Sequence, residues 1–200
     1  MSPELHINLV NLKSNIKFFQ RIIKTNTELS AVVKSDAYGL GIAKIVPEIE
    51  RYGVRSFFTA TISEAIKIRN YSRDCEIFTL NGFDFLKSNL YREHNITPII
   101  NNILEAQKFI EIFNQTQKVA IQLNTGMNRL GLDKQSLLEN IDIIKSLPLN
   151  LILSHLACAD ETSNKENKAQ KDLFIKLCKF LPNIRQSISA SHGTLLGTEF

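Results

Sequence analysis

The chain has 200 residues, 44% hydrophobic and 22% charged, which suits one large globular core, or at most two small ones, and excludes a disordered or low-complexity chain. Its 24 basic and 20 acidic residues give a net charge of +4. They are scattered rather than blocked, so neither a nucleic acid nor a charged membrane surface is the expected partner.

The chain opens on a predicted helix from Asn8 to about Lys24. Leu9, Leu12, Ile16, Phe19 and Ile23 recur there at helical spacing, with Asn8 as N-cap. Short apolar runs then alternate with amphipathic stretches. The expected strands are 31–34, 56–60, 76–80, 97–100, 119–123, 149–154 and 186–189. Between them the spacing predicts helices over 42–51, 63–71, 84–93, 104–113, 134–146 and 165–181. Their expected start signals are Ser63 with Glu64, Asp84, Asp133 and Ser163. Strands that are apolar throughout, each followed by a helix, imply a parallel sheet buried on both faces. The predicted fold is α/β, a TIM-type (β/α)8 barrel occupying residues 1–200 as one domain and incomplete at its C-terminal end. An open doubly wound sheet is the competing topology, but no G-x-G-x-x-G turn is present. A closed barrel needs eight strands and about seven are visible. The eighth is missing, supplied by another segment, or unrecognised.

Four segments carry candidate chemistry, each near a predicted strand end, where a barrel of this kind places its active site. The first is Ala31-Val32-Val33-Lys34-Ser35-Asp36-Ala37-Tyr38-Gly39-Leu40-Gly41. A lysine delivered by an apolar run is disfavoured as an ammonium and becomes a usable amine nucleophile. The glycines would let backbone amides approach an anion such as phosphate, with Tyr38 beside it. The same residues also describe a strand end with a surface lysine and a glycine turn. The second segment, Asn124-Thr125-Gly126-Met127-Asn128-Arg129-Leu130-Gly131, offers an arginine fork for a carboxylate or phenolate, or simply a turn with a surface arginine. The third places His155 just beyond a buried strand, as catalyst or as structural imidazole. The fourth, Ser189-Ala190-Ser191-His192-Gly193, would suit phosphate binding through Ser191.

Together the four segments resemble the alanine racemases, pyridoxal-phosphate enzymes of fold-type III. A-V-V-K-x-x-A-Y-G-x-G is similar to the family's cofactor-lysine motif, and N-T-G-M-N-R-L-G and S-H-L-A-C-A-D to its further barrel signatures. The resemblance implies an isomerase that interconverts L-alanine and D-alanine, supplying the latter for cell-wall peptidoglycan. Lys34 would hold pyridoxal 5'-phosphate covalently and act as one acid/base. Tyr38 and Ser191 would touch its phosphate, His155 would lie beside its ring, and Arg129 near its phenolate. Arg129 and Met127 would face the substrate. No metal is implied.

The chain also departs from the family pattern. Gln122 stands where many members carry a lysine, one that is carbamylated in some racemases, and Ala190 replaces an asparagine. The C-terminal β domain, which supplies an opposite-face tyrosine across a dimer interface, has no counterpart here. None of Tyr38, Tyr52, Tyr71 and Tyr91 lies where that tyrosine is expected. Three readings therefore stand open: a racemase barrel, weakly active or inactive alone; a non-catalytic truncated or split half; and a single-domain pyridoxal-phosphate carrier. The implied partners are an amino-acid substrate and either a second copy in a homodimer or the missing C-terminal half.

Cys75, Cys158 and Cys178 form no C-x-x-C pair, which fits a reducing compartment. Met1-Ser2-Pro3-Glu4-Leu5-His6 lacks a basic stretch followed by an apolar core, so no leader is expected there. No apolar run reaches the roughly 20 residues of a membrane span. The expected location is cytoplasmic.

Overall fold

The computed structural model describes residues 4–200. The N-terminal stretch read for a leader begins on Met1, Ser2 and Pro3, which lie outside the described residues. Seven parallel strands form one sheet in chain order: β1 (Ala31–Val32), β2 (Ser56–Thr59), β3 (Glu76–Thr79), β4 (Thr97–Ile100), β5 (Val119–Gln122), β6 (Leu149–Leu153) and β7 (Arg185–Ser187). The helices are α1 (Leu9–Ile22), α2 (Lys34–Tyr38), α3 (Ile42–Arg51), α4 (Ile62–Arg69), α5 (Ser88–Glu93), α6 (Ile103–Phe113), α7 (Lys134–Glu139), α8 (Ile141–Lys145), α9 (Lys165–Cys178) and α10 (Ser191–Leu195). Among the described residues no helix is long and apolar enough to cross a membrane.

The sheet is apolar on both faces, which is why its strands read as unbroken apolar runs. Phe58, Phe78, Ile99, Ala120, Leu151 and Leu153 form a cluster on the inner face, with Phe58 and Phe78 stacked at 4.7 Å between ring centroids. Their neighbours in sequence, Phe57, Ile77, Ile100, Ile121 and Ile152, point outward and pack with helix residues such as Ile68, Phe109 and Leu177. Side chains alternate faces along each strand, so both sets belong to the same short runs.

The sheet curls on itself. Arg185 in β7 donates to both carboxylate oxygens of Glu76 in β3, at 2.7 and 2.8 Å, although three strands separate β3 from β7. Arg185 also reaches Glu28, ahead of β1, at 3.5 Å. The Ser56 hydroxyl bonds to Glu28 and lies 3.4 Å from Glu76. β1, β2, β3 and β7 therefore meet at the N-terminal mouth of an incomplete barrel, and no ladder joins β7 to β1. An eighth strand is not found among the described residues.

The Arg185 guanidinium, through its hydrogen bonds, holds the Glu76 carboxyl below the ordinary carboxylate range. A depressed carboxylate contributes stability above its unfolded pKa and loses it as pH falls through its folded value. Both side chains are partly exposed, so solvent screening limits the effect. Arg185→Met should cost about 1 kcal/mol at neutral pH. In urea unfolding, the gap from the unsubstituted chain should close as Glu76 becomes protonated. A gap that persists in acid would mean that Arg185 acts through packing instead.

Several expected elements differ in the structure. The helix expected over 84–93 is a 3-10 turn, Phe85–Lys87, followed by α5. The helix expected over 134–146 breaks at Asn140, whose φ of −120° and ψ of 25° are not helical and whose side chain donates to the Ser136 carbonyl. Thr61 rather than Ser63 caps α4, accepting from the Glu64 amide. Asn164 rather than Ser163 caps α9. β7 starts at Arg185 and ends at Ser187, earlier than expected, and Ser191 opens α10.

Candidate functional site

Lys34 leaves β1 at its C-terminal end. The Val33 amide still donates to the Phe58 carbonyl at 2.9 Å, and then the ladder stops. Ser35, Asp36, Ala37 and Tyr38 follow with φ between 53° and 57°, a complete left-handed turn built without glycine. For L-residues that conformation costs roughly 1–2 kcal/mol each, so the surroundings must hold it. Inside the turn the Ala37 amide donates to the Val33 carbonyl and the Gly39 amide to the Ser35 carbonyl, both at 2.9 Å. The Asp36 carboxylate accepts from the Ile42 amide at 2.9 Å and so ties the turn to the start of α3. Tyr38 is left 62% exposed at its end. The strand expected over 31–34 ends at Val32, and the chain turns through four left-handed non-glycine residues before the expected glycines.

Arg129 and Met127 ride on a loop closed at its neck. The Leu132 amide donates to the Gln122 carbonyl at 2.9 Å and the Asn124 amide to the Leu132 carbonyl at 2.8 Å. Within the loop, Asn124 Oδ1 accepts from the Gly126 and Asn128 amides, at 3.1 and 3.0 Å. Gln122 donates to the Leu130 carbonyl at 3.4 Å. It therefore braces the residue next to Arg129.

His155 lies two residues beyond the inward-facing Leu153 of β6 and is partly buried. Burial, first, and then the positive charges of Arg129 and Lys34 push its imidazole below the ordinary histidine range. Lys34, Arg129 and His155 follow the C-terminal ends of β1, β5 and β6, and the two basic side chains are near enough to act on the imidazole. Burial and nearby charge both favour the neutral form of the ring. An unfolded chain would take up the proton more readily, so His155 favours unfolding as pH drops below the ordinary imidazole range. Arg129→Gln removes one repelling charge and should raise the His155 midpoint, as followed by an NMR titration of the ring protons. An unmoved midpoint would place Arg129 too far away to share a ligand with His155.

A polar network behind the mouth was not anticipated. Gln170 of α9, 1% exposed, donates to Thr125 Oγ1 at 3.4 Å and to the His155 carbonyl at 3.2 Å, and accepts from the Ala157 amide at 2.8 Å. Thr125 and Ser154 share a hydroxyl bond of 2.8 Å, and Ser154 donates to the Leu123 carbonyl at 2.7 Å. One amide thus fixes the loop after β5 and the segment carrying His155. The signal was available: Asn167 and Gln170 fall in helical register with the buried Phe174, Leu177 and Cys178. They are polar residues on the face that should be apolar.

Ser191 begins α10 and is exposed. The side chains of Tyr38, Met127 and Ser191 make no hydrogen bond among the described residues. Near Ser191, the Ser189 hydroxyl is buried with no partner. No cluster of three or more metal-ligating side chains occurs among the described residues.

The family model described as "Alanine racemase, N-terminal domain" matches residues 7–200. The alanine racemase of Rickettsia africae (strain ESF-5) is 34% identical over 203 residues, covering 98% of this chain and 57% of that protein. That of Rickettsia canadensis (strain McKiel) is 35% identical with the same coverage. Among solved structures, alanine racemase from Bartonella henselae with covalently bound pyridoxal phosphate superposes with a TM-score of 0.90 at 33% identity. It covers 97% of this chain and 58% of that one. The enzyme from Clostridium difficile 630, at 24% identity and a TM-score of 0.85 over 94% of this chain and 55% of its own, shares the fold. The chain thus spans somewhat over half the length of the relatives it matches.

Proposed function

This chain belongs to the alanine racemase N-terminal domain family, and from that premise we propose that it is the cofactor-holding barrel of a pyridoxal-phosphate-dependent isomerase interconverting L- and D-alanine. The reading is supported above all by the Lys34 amine and the Arg129 guanidinium, which follow β1 and β5 and lie close enough to His155, beyond β6, for their charges to act on its imidazole. That set suits an aldehyde bearing a phenolate and a phosphate. The unpartnered buried hydroxyl of Ser189, beside Ser191, is a further polar group consistent with an anionic ligand.

Lys34 Nζ would hold the cofactor's aldehyde carbon and pass the Cα proton on one face of the substrate. Pyridoxal phosphate, when bound, delocalises the negative charge left on Cα. The Arg129 fork would bind the phenolate and, together with Met127, orient the substrate carboxylate. His155, whose surroundings favour its neutral form, would pack its ring beside the pyridine. Tyr38 and Ser191 would bind the phosphate. None of the chain's tyrosines supplies the opposite-face base. Tyr91 is buried and bonded around Gly82 and Asp84, Tyr52 bonds Glu48, and Tyr38 and Tyr71 are surface residues.

Alone, residues 1–200 would act as one domain that binds the cofactor but racemises weakly or not at all, with a second copy or a C-terminal half as partner. The edges of β1 and β7 are unpaired among the described residues, which leaves room for a further strand between them. Three free thiols, Cys75, Cys158 and Cys178, support a reducing, cytoplasmic setting.

The test is chemical. The chain is incubated with pyridoxal phosphate, reduced with borohydride and mapped by peptide mass. Cofactor fixed on the Lys34 peptide is the expected result. A folded chain with no adduct, or with adducts spread over surface lysines, would overturn the reading.

A further inference from the structure

The left-handed turn after Lys34 is anchored to the rest of the barrel by a residue outside the four motifs. Glu64, in the first turn of α4, accepts from the Ser35 amide through Oε1 at 2.9 Å and from the Ala60 amide through Oε2 at 2.8 Å. One carboxylate therefore clamps the ends of β1 and β2 together at the residue where the strained turn begins. A charged acceptor shared by two backbone amides is stronger than a neutral one. We infer that Glu64 is a positioning residue for Lys34: by holding the Ser35 amide it fixes the left-handed turn and, through it, the direction of the Lys34 amine and the place of Tyr38.

The molecule contains its own control. Glu105 occupies the same place in the first turn of α6, three residues after its cap Asn102, as Glu64 stands three after Thr61. It too accepts from the amide four residues back, Asn101 at 2.9 Å, and from the loop after an earlier strand, Phe83 at 3.3 Å. The loop it holds relies on Gly82 for its positive φ, whereas the one Glu64 holds forces four non-glycine residues into it. The two glutamates bridge corresponding backbone amides, Glu105 taking a further bond from Asn102 Nδ2 at 2.7 Å, and Glu64 alone is bonded next to Lys34. The cofactor half of this inference rests on the proposed function, and the backbone half does not.

The experiment compares Glu64→Gln with Glu105→Gln in the full chain, by two readouts. The first is amide hydrogen exchange across residues 33–41 without cofactor. The second is retention of pyridoxal phosphate on Lys34 by borohydride fixation over a cofactor titration. Glu64→Gln should speed exchange in that segment and weaken cofactor retention, each by about tenfold relative to Glu105→Gln, the size expected for losing one charge-assisted bond. Urea stabilities of the two variants should fall together. If Glu64→Gln exchanges no faster than Glu105→Gln, or retains cofactor as well, the inference is overturned. A wild-type chain that binds no cofactor sinks the functional reading, and the exchange comparison still decides whether Glu64 holds the turn. Should Glu64→Gln fail to fold, Glu64→Asp, which keeps the charge but shortens the reach to the Ser35 amide, takes its place beside Glu105→Asp with the same two readouts and the same expected difference.

Discussion

Lys34→Ala should eliminate borohydride-fixed pyridoxal phosphate and slow deuterium exchange at the alanine Cα by about 10²–10⁴-fold, the usual contribution of a positioned acid/base. The stability of the chain should change by no more than about 0.5 kcal/mol. Function and stability separate here because the Lys34 side chain makes no hydrogen bond and no ion pair among the described residues. Its backbone, not its side chain, belongs to the turn. Deuterium exchange is the more informative readout. A single base on one face can remove and return a proton without inverting the carbon. The unsubstituted chain with cofactor should therefore exchange the Cα proton of one enantiomer and produce little of the other. Exchange in Lys34→Ala at the rate of the unsubstituted chain would move the role to another amine. Fast racemisation by the unsubstituted chain would mean that an opposite-face base lies within these residues after all.

The strands were the legible part of the fold, for a physical reason. Sheets buried on both faces need apolar residues at every position, so runs such as Phe57-Phe58 and Ile99-Ile100 announce themselves. The family resemblance then drew Lys34, Arg129 and His155 toward one site, and in the structure the charges of Arg129 and Lys34 act on His155. What stayed hidden depends on residues far apart in the chain. Nothing in Ser35-Asp36-Ala37-Tyr38 encodes a left-handed turn; Glu64, 29 residues on, anchors it. Arg185 and Glu76 are 109 positions apart and find each other only once the sheet has curled. Gln170 was readable as a polar residue on a buried helical face, but not its target, since Thr125 lies on another element. The break at Asn140 was masked because the apolar spacing of Leu137, Ile141 and Ile144 continues across it. Periodicity reports which face is buried and is silent about a single residue that leaves the helix.

Gly131→Ala should be the most damaging small substitution near the site, costing about 3 kcal/mol or more. Gly131 has φ of +102°, beyond the left-handed well that other residues tolerate, and a methyl group there would lie 2.8 Å from the Gln122 carbonyl oxygen and 3.0 Å from the Asn124 amide. Those atoms are backbone at the neck of the Arg129 loop, where the Leu132–Gln122 and Asn124–Leu132 bonds close it. They cannot swing aside as a side chain would. The neck must open, and Arg129 must move with it. Two measurements should therefore shift together: the urea midpoint should fall, and the His155 midpoint should rise as it does in Arg129→Gln, because the repelling guanidinium has left. Gly126 provides the contrast. Its φ of +142° also strains an alanine, but the methyl group meets the Gln170 side chain at 3.2 Å rather than backbone, so Gly126→Ala should disturb the Gln170 network more than the loop neck. If Gly131→Ala loses stability while the His155 midpoint stays put, the loop is held by something other than its neck, and the electrostatic link between Arg129 and His155 does not depend on it.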